Sequence, residues 1–406
     1  MQKVKLGIIG LGCRGYGLIE TIMATKKADI VAVSDLYKDR IDAAVQKVVS
    51  LGGKKPVGYS DYHDLISDKN VACVFIAASW DEHIRMALES MEEKKITALE
   101  VGGVYDVAEC WKLVDTYERT KTPLMMMENC CYGQFELLSE NLVRAGRLGT
   151  VVHCHGAYGH DLRDEILGGN VNRHYRLNNY IKRNCENYPT HELGPIARIL
   201  GINRGNRMLS LVSVASKAAG LEEFSRTDKN PDRSLAGQRF AQGDIVNTLI
   251  TCAGGETISL KLDTTLPRYY SREFTVRGTK GLCNGEANMI FLEEDVNEHE
   301  FFDPHLTLKK HMDNLGRYAE YMPEMWKKIT PEEMEAGHGG MDYLMFNSFF
   351  DIVLSGRELP IDVYDTAAWM CISALSAQSI ANGGRPEPIP DFTCGKWMLR
   401  KPNFLE

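Results

Sequence analysis

The feature that most constrains the fold is an apolar strand that runs directly into a glycine-rich turn near the amino terminus. Val4–Ile9 is apolar and rich in β-branched residues, and the turn Gly10-Leu-Gly12-Cys-Arg-Gly15 follows it. Tyr16–Ala28 then places its apolar residues at helical spacing. A strand, a Gly-x-Gly-x-x-Gly turn and a helix in this order predict the first part of a doubly wound, Rossmann-type parallel sheet.

The three glycines of this turn suit a bound dinucleotide. Gly10 permits the tight turn, Gly12 lets a pyrophosphate approach the backbone, and Gly15 allows the helix to pack closely on the strand. The amino end of the helix then presents N–H groups to the phosphates. The alternative interpretation is a tight turn that binds nothing.

A second predicted strand, Asp29–Ser34, ends at an acid that favours one dinucleotide over another. Asp35 follows Gly15 by about 20 residues, the spacing at which a carboxylate hydrogen-bonds the adenosine ribose. A carboxylate there repels a 2′-phosphate, so NAD is favoured over NADP. Lys38 and Arg40 follow closely and weaken that preference.

Strands and helices continue to alternate up to about residue 130. The pattern predicts strands at Val71–Ala77, Thr97–Val101 and Leu124–Met127, and helices at Asp81–Lys94 and Val107–Thr120. Alternation of this kind favours a parallel sheet, and ligands bind at the carboxyl ends of its strands. The residues at these ends are candidate cofactor or substrate contacts: Ser79, Trp80, Asp81, Glu82, His83, Glu100, Val101, Glu128 and Asn129.

The remaining chain has strands in series, which predicts an α+β domain with a mostly antiparallel open sheet. Helices are expected at Gln134–Ala145, from about Thr190 to Leu200, and near Met341–Ser355 and Val363–Ala381. We expect domains at residues 1–130 and 131–406, with the C-terminal helices as candidates to pack back on the first domain. The predicted strands are Val151–Ala157, Met208–Ser216, Ile245–Cys252, Thr257–Leu262, Glu273–Gly278 and Leu282–Asn284.

Composition excludes several classes of protein. Hydrophobic residues make up 44% and charged residues 25%, as in globular proteins, and the formal charge of -8 argues against nucleic-acid binding. The 11 cysteines are scattered and predict reduced thiols. No apolar stretch is long enough to span a bilayer, and the opening residues show no signal peptide. We expect a cytoplasmic protein that binds neither nucleic acid nor membrane; if an export leader was removed, the protein is periplasmic or exported.

The densest cluster of reactive side chains lies between Asn184 and Pro195. Thr190 is a good N-cap for the helix that follows, which would place His191 in the first turn. The positive end of the helix dipole disfavours imidazolium there, so His191 is expected to stay neutral and accept protons. A structural histidine bonded to the backbone is the alternative.

Other histidines lie on a predicted strand. His153 and His155 share one face of that strand, with His160 five residues later. Further metal ligands are not identifiable, so we expect no metal and favour a polar pocket wall that these histidines form with Tyr158. Asp342 is expected either to cap its helix or to follow a glycine-rich turn that a substrate approaches.

The residues quoted so far resemble the Gfo/Idh/MocA family of NAD(P)-dependent oxidoreductases over essentially the whole chain. That family ends a strand with Glu-Lys-Pro, whose lysine is a catalytic acid/base, whereas this chain has Glu100-Val-Gly102. The family's Asp-x-x-x-His motif appears here as Asn187-Tyr-Pro-Thr-His191. Both departures disfavour simple alcohol dehydrogenation.

Four longer blocks look like glycoside hydrolase family 109. They are Met126–Tyr132, Tyr158–Arg163, Tyr188–Pro195 and Gly337–Asp342. The resemblance implies an α-N-acetylgalactosaminidase that acts on a small glycoside, keeps NAD tightly bound and regenerates it at each turnover. A homo-oligomer is left open.

The family's binding positions carry over where its motifs match. With the glycines of the turn, the implied NAD contacts are Cys13, Arg14, Asp35, Ser79, Trp80, Asp81, Glu82, Glu100, Val101 and Asn129, and His83 is the neighbouring candidate. The implied sugar contacts are Tyr158, Arg176, Tyr188, Pro189, Thr190, His191 and Tyr270.

The resemblance also implies a redox route to hydrolysis, in which NAD⁺ oxidises the sugar at C3 and the hydride returns after the bond is broken. A base removes the C2 proton in between, so no pair of carboxylates is needed. We expect His191 to accept protons and Tyr188 to assist it. The alternatives are an NAD(P)-dependent sugar or inositol dehydrogenase, and a dinucleotide-binding sensor without catalysis.

Overall fold

The computed structural model describes residues 3–295 and 304–405, which divide into two units. The first unit contains the chain up to Tyr132 together with Lys328–Ala368 and Asn403–Leu405. The second contains Gly133–Lys327 and Trp369–Pro402. The sequence analysis assigned residues 131–406 to the second domain, with the C-terminal helices as candidates to pack back on the first; the structure groups Lys328–Ala368 with the first unit.

The first unit is built on a six-stranded, all-parallel sheet in the order β3-β2-β1-β4-β5-β6. The order reverses between β1 and β4, which is the switch point at which such sheets bind ligands. The predicted doubly wound sheet is confirmed. Its strands are β1 (Val4–Ile9), β2 (Ala28–Ser34), β3 (Val57–Tyr59), β4 (Cys73–Ile76), β5 (Ile96–Leu99) and β6 (Leu124–Met126).

The second unit is built on an eight-stranded sheet in the order β13-β12-β11-β7-β10-β9-β8-β14. Every neighbouring pair is antiparallel except β7 with β10, so the predicted mostly antiparallel sheet is also confirmed. Its strands are β7 (Val151–Gly159), β8 (Met208–Ala215), β9 (Ile245–Cys252), β10 (Thr257–Asp263), β11 (Thr275–Gly278), β12 (Gly281–Asn284), β13 (Met289–Leu292) and β14 (Glu387–Pro388).

The α-helices of the described residues cover the sheets and connect their strands. They are α1 (Cys13–Ala24), α2 (Lys38–Ser50), α3 (Tyr62–Ser67), α4 (Trp80–Glu92), α5 (Val107–Thr120), α6 (Gln134–Arg144), α7 (Arg163–Leu167), α8 (Gly169–Asn172), α9 (Arg176–Lys182), α10 (Thr190–Ile199), α11 (Gly220–Ser225), α12 (Pro304–His311), α13 (Glu324–Lys328), α14 (Pro331–Glu335), α15 (Met341–Ser355) and α16 (Val363–Ala381).

Helix α10 lies unusually close to strand β7 because Gly156 has no side chain. A Cβ added at Gly156 would lie 2.6 Å from the Cβ of Glu192, which is in the first turns of α10. The helix therefore rests on the strand backbone. This close packing fixes the first turn of α10, and with it His191, relative to β7.

Candidate functional site

The glycine turn after β1 has the geometry that its sequence predicts. Gly10 has a φ of +88°, and a Cβ there would lie 2.6 Å from the backbone carbonyl of Ala77. A Cβ at Gly15 would lie 2.0 Å from the carbonyl oxygen of Gly10. Neither position can carry a side chain without moving the backbone, so the packing role predicted for Gly15 is confirmed.

Gly12 differs from its neighbours because there is space around it. Among the described residues, the atom nearest to a Cβ built on Gly12 is Nη1 of Arg40, at 3.7 Å. Gly12 is the N-cap of α1, and within residues 3–295 and 304–405 no side chain caps that end of the helix. The first turn holds no acid. An uncrowded helix start whose own first turn carries no acid fits a dinucleotide pyrophosphate.

Asp35 lies at the end of β2 and holds the glycine turn in place. One carboxylate oxygen accepts a hydrogen bond from the Leu11 N–H (2.7 Å) and the other accepts one from the Tyr37 N–H (3.0 Å). Nη1 of Arg40 is 3.8 Å away. Each carboxylate oxygen can accept more than one bond, so these contacts are compatible with the predicted ribose contact, which stays a prediction.

Arg14 is clamped between two acids of the first unit. Its Nε donates to Glu100 (2.8 Å), and its two terminal nitrogens donate to the two oxygens of Asp342 (2.8 Å each). Asp342 is not the cap of α15, because the N-cap is Gly340; its side chain instead reaches back to Arg14. Both interpretations of Asp342 from the sequence miss this ion pair.

The two carboxylates of this clamp respond differently to burial. Burial raises the pKa of Glu100, and the Arg14 charge offsets the effect only in part. Burial also acts to raise the pKa of Asp342, but hydrogen bonds from His338 and Arg14 outweigh it and hold the pKa below its ordinary value. Asp342 is therefore the firmly ionised partner of Arg14.

The turn between β4 and α4, together with the start of α4, contains five predicted cofactor contacts, Ser79 to His83. Ser79 is the N-cap of α4, and Trp80 packs so closely on the next loop that a Cβ at Gly102 would lie 2.5 Å from its ring. Nε2 of His83 is 2.9 Å from the carbonyl oxygen of Ala78. Burial lowers the pKa of His83 to about 4, so this histidine is a neutral support of the turn.

The second unit brings three predicted residues together. The ring centroids of Tyr158 and Tyr188 are 4.4 Å apart, and His191 lies 4.7 Å from Tyr188 and 5.5 Å from Tyr158. Tyr158 comes from the end of β7, Tyr188 precedes α10, and His191 is in the first turn of α10. We call these three residues the aromatic cluster.

Two further predicted sugar contacts adjoin the aromatic cluster. The guanidinium carbon of Arg176 lies 5.1 Å from the ring centroid of Tyr188, and its Nε is 2.8 Å from Glu165. The Tyr270 ring lies 5.3 Å from that of His160, whose Nδ1 is 3.4 Å from the Tyr158 hydroxyl. The cluster is thus flanked by a cation and by a second imidazole.

Burial sets the protonation of the groups around this cluster. It raises the pKa of the Tyr158 hydroxyl, which the Arg176 charge offsets only in part. It also lowers the pKa of His160. Near neutral pH, Tyr158 and His160 are therefore uncharged groups that can donate and accept hydrogen bonds.

Two sequence interpretations of this region are wrong. Thr190 is the first helical residue and not the N-cap, which is Pro189; His191 nevertheless falls in the first turn. His153 and His155 do not form a wall with Tyr158, because side chains alternate along a strand and these residues project from the other face of β7. They bond instead to side chains across the sheet: Thr257, Ser259 and Glu273.

Glu186 belongs to the dense cluster between Asn184 and Pro195, but the sequence assigned it no role. It is fully buried, and burial raises its pKa to about 8. Its N–H donates to Ser376 (2.8 Å), and the Ser373 hydroxyl donates to its carbonyl (2.6 Å). No local pattern shows these bonds, because the serines are far away in the chain.

The parallel sheet and the uncrowded glycine turn define an NAD-binding Rossmann protein. Residues 4–128 match the GFO_IDH_MocA family, described as an oxidoreductase family with an NAD-binding Rossmann fold. More narrowly, the chain belongs to glycosyl hydrolase family 109, because residues 132–399 match the C-terminal domain of that family. It is an NAD-dependent glycoside hydrolase, and the family resemblance stated from the sequence is confirmed.

Curated relatives are similar over nearly the whole chain. A glycosyl hydrolase family 109 protein of Parabacteroides distasonis is 33% identical over 99% of this chain and 89% of its own length. A Tannerella forsythia protein named alpha-N-acetylgalactosaminidase is 33% identical over 99% of this chain and 88% of its own. A family 109 protein of Shewanella baltica is 35% identical over 99% of this chain and 88% of its own length.

Solved structures share the fold at low sequence identity. A levoglucosan dehydrogenase in complex with NADH and levoglucosan has a TM-score of 0.70 at 17% identity, covering 96% of this chain and 100% of that one. A scyllo-inositol dehydrogenase from Lactobacillus casei has a TM-score of 0.65 at 13% identity, covering 96% and 98%. Among the described residues, we find no helix with the length and apolar character needed to cross a membrane.

Proposed function

We propose that this chain hydrolyses terminal α-N-acetylgalactosaminides by a redox cycle that leaves its NAD unchanged. The observation that carries the proposal is the aromatic cluster, which gathers an imidazole and two phenols in a chain of family 109. The name of the Tannerella forsythia relative supports the choice of sugar. When bound, NAD supplies a hydride acceptor, and later a hydride donor, at C3 of the sugar.

His191 is the proposed proton acceptor of the cycle. Oxidation at C3 makes the C2 hydrogen acidic, so a base of ordinary strength can remove it while the glycosidic oxygen leaves C1. An imidazole suits this role because it gains and loses protons near neutral pH. Water then adds its hydroxyl at C1 and supplies the proton that the departed glycosidic oxygen gains, C2 regains a proton that has exchanged with solvent, and reduction at C3 restores the sugar.

Tyr188 and Arg176 are proposed to assist His191. The Tyr188 ring meets that of His191 edge to face, and the Arg176 guanidinium lies over the Tyr188 ring. A nearby positive charge stabilises negative charge as it develops on the phenol oxygen or on the substrate. Tyr158, kept protonated by burial, is proposed to orient the sugar together with Tyr270.

The glycine turn and the strand ends are proposed to hold the dinucleotide. Cys13 and Arg14 lie in the first turn of α1, where N–H groups face an anion. Asp35 is proposed to accept from the ribose, and Asn129 to bind at the end of β6. These roles follow the positions of the family motifs and stay proposals.

The test is incubation with p-nitrophenyl α-N-acetylgalactosaminide without added cofactor. We expect nitrophenol release with no lasting rise in NADH absorbance, and deuterium from D₂O at C2 of the released sugar. Lasting NADH formation from a free sugar, without nitrophenol release, would instead identify a dehydrogenase. Unlabelled C2 would rule out the elimination step.

We further propose that the chain forms a homo-oligomer through the open face of the second sheet. Leu249 and Val214 lie on that face and are more than half exposed. Apolar side chains exposed together on one sheet face often mark protein–protein interaction sites. Light scattering tests the proposal, and a strictly monomeric protein at micromolar concentration contradicts it.

We also propose a cytoplasmic location, which the state of the cysteines supports. The structure records no disulfide among the 11 cysteines, all of which lie in its described residues, and nine of them are buried. Proteins of oxidising compartments usually pair such thiols. Cell fractionation of the native host tests this, and recovery in the periplasm contradicts it.

A further inference from the structure

Arg14 is turned toward the protein by a carboxylate that sequence motifs do not assign to any site. Both terminal nitrogens of its guanidinium donate to the two oxygens of Asp342, in a two-point fork. Asp342 is 1% exposed, whereas the Arg14 side chain is 31% exposed. With Nε bonded to Glu100, the orientation of Arg14 is set on both sides.

The same carboxylate also holds a strand end. Nδ2 of Asn129 donates to Oδ1 of Asp342 at 2.9 Å, and Asn129 is buried just after β6. Asp342 therefore bonds to two residues that are proposed NAD contacts, one on the glycine turn and one at the carboxyl edge of the sheet. A single side chain of α15 ties these two parts of the NAD site together.

The turn before α15 is shaped to let Asp342 reach Arg14. Gly337, His338, Gly339 and Gly340 all have positive φ, between +43° and +93°. A Cβ at Gly337 would lie 2.8 Å from an oxygen of Asp342. Positive φ at a residue with a Cβ, such as His338, is uncommon and persists only where the surroundings enforce it.

We propose that Asp342 is a positioning residue of the NAD site, which acts through Arg14 and Asn129 and does not touch the dinucleotide. Loss of its charge removes one of the two acids that hold Arg14, and the single amide oxygen of an asparagine cannot accept from Arg14 and Asn129 as the two carboxylate oxygens do. The first turn of α1 then loses its anchor on α15, and the phosphate-binding N–H groups are less well oriented. The proposal rests on the NAD assignment of the family and not on the glycosidase cycle.

The first experiment is a fluorescence titration of the full-length protein, freed of nucleotide, with NADH. For Asp342→Asn we expect the dissociation constant to rise by about tenfold or more, with an unchanged circular dichroism spectrum. Asp351→Asn is the matched control, because Asp351 is on the same helix, is 45% exposed and pairs with Lys27. The control should stay within about twofold of wild type. Wild-type NADH affinity in Asp342→Asn would overturn the proposal.

A second experiment separates positioning from general damage to the fold. If Asp342 acts in part through Arg14, the double variant Arg14→Gln with Asp342→Asn loses less NADH binding free energy than the sum of the two single losses, and Asn129 accounts for the loss beyond that of Arg14→Gln. Independent, additive losses would overturn the proposal. If Asp342→Asn does not fold, Arg14→Lys replaces it in the NADH titration. Lysine keeps the positive charge but cannot donate to both carboxylate oxygens of Asp342 as the guanidinium does. An unchanged NADH affinity in Arg14→Lys would likewise overturn the positioning proposal. A wild-type protein that binds NADH but does not cleave the glycoside would contradict only the proposed hydrolysis.

Discussion

At the scale of single residues, His191 is the side chain on which the proposed chemistry depends most. We expect His191→Ala to lower nitrophenol release by about 10²- to 10⁴-fold, because the base that takes the proton is gone. NADH affinity should not change, since the variant leaves the glycine turn intact. The measurement is a steady-state assay beside a fluorescence titration.

His153→Ala is the matched control for this variant. His153 lies on the opposite face of β7 and bonds to Thr257 across the sheet, so its loss should leave turnover within about twofold of wild type. A His191→Ala protein that turns over at the wild-type rate would remove His191 from the mechanism.

Glu186 gives a pH-dependent prediction at the same scale. Its pKa is raised to about 8 in the folded protein, whereas an unfolded glutamate titrates near 4.5. The folded state therefore binds the proton more tightly between these values. Its contribution to the free energy of unfolding is full below about pH 4.5 and is lost as the pH rises to about 8.

We expect Glu186→Gln to flatten this pH dependence, because glutamine is neutral at every pH. Urea unfolding at pH 5.5 and pH 7.5 measures the free energy of unfolding at each pH. In the wild type, Glu186 should lower that free energy by at most about 1.4 kcal/mol per pH unit as the pH rises. Glu223→Gln, at an exposed glutamate of α11, should keep the wild-type slope. An equal slope in wild type and Glu186→Gln would show that Glu186 is already ionised in the folded protein.

At the scale of elements, the glycine turn was predicted better than the helix that follows it, since α1 spans Cys13–Ala24 and not the Tyr16–Ala28 that the spacing indicated. The close approach of Gly15 to the carbonyl of Gly10 makes Gly15→Ala a backbone clash, so we expect a loss of about 1–3 kcal/mol in the free energy of unfolding and weaker NADH binding. Denaturant unfolding and NADH titration are the measurements.

Gly17→Ala is the control within the same helix. Among the described residues, no atom outside the neighbouring backbone of α1 lies within 4 Å of a Cβ added at Gly17, so alanine should stabilise α1 by about 0.5–1 kcal/mol through its helix propensity. If Gly15→Ala and Gly17→Ala changed the free energy of unfolding equally, the close contact of Gly15 with the Gly10 carbonyl would not be the reason that the turn needs a glycine there.

Helices and strands whose apolar residues repeat at a clear spacing were predictable from the sequence, and those with a weak repeat were not. Strand β9 and helices α5, α15 and α16 begin and end at the predicted residues. Helix α2 was missed, although its buried residues repeat at helical spacing, because its first three residues, Lys38–Arg40, are all charged. Strand β14 has only two residues, too few to show any alternation.

The residues of the candidate site were likewise predictable only where a local sequence pattern marks them. The aromatic cluster was predictable from motifs, because Tyr188 and His191 lie close together in the chain and Tyr158 ends a clear strand. The pairing of Arg14 with Asp342 was not, since an ion pair between residues 328 positions apart has no local signature. Side-chain alternation, applied strictly, would have placed His153 away from Tyr158.

At the scale of the whole molecule, the first unit is completed by a late part of the chain. The Phe346 ring of α15 packs edge to face on Phe75 of β4, with centroids 5.2 Å apart. Asp342 of the same helix pairs with Arg14. Residues 328–368 therefore supply both core and ion pairs to a Rossmann sheet that ends near residue 132.

It follows that a fragment ending at Tyr132 should not fold cooperatively, although it contains all six strands of the parallel sheet. Without α15, the apolar surface of the sheet that this helix covers is exposed to water. A unit of this size buries too little apolar surface to remain stable after that loss. We expect no sharp urea transition and no NADH binding. Fusing residues 328–368 through a flexible linker should restore both, and the same fusion with Phe346→Ala should lose about 3–5 kcal/mol of the restored stability. A fragment that binds NADH as tightly as the full chain would show that the late segment is dispensable.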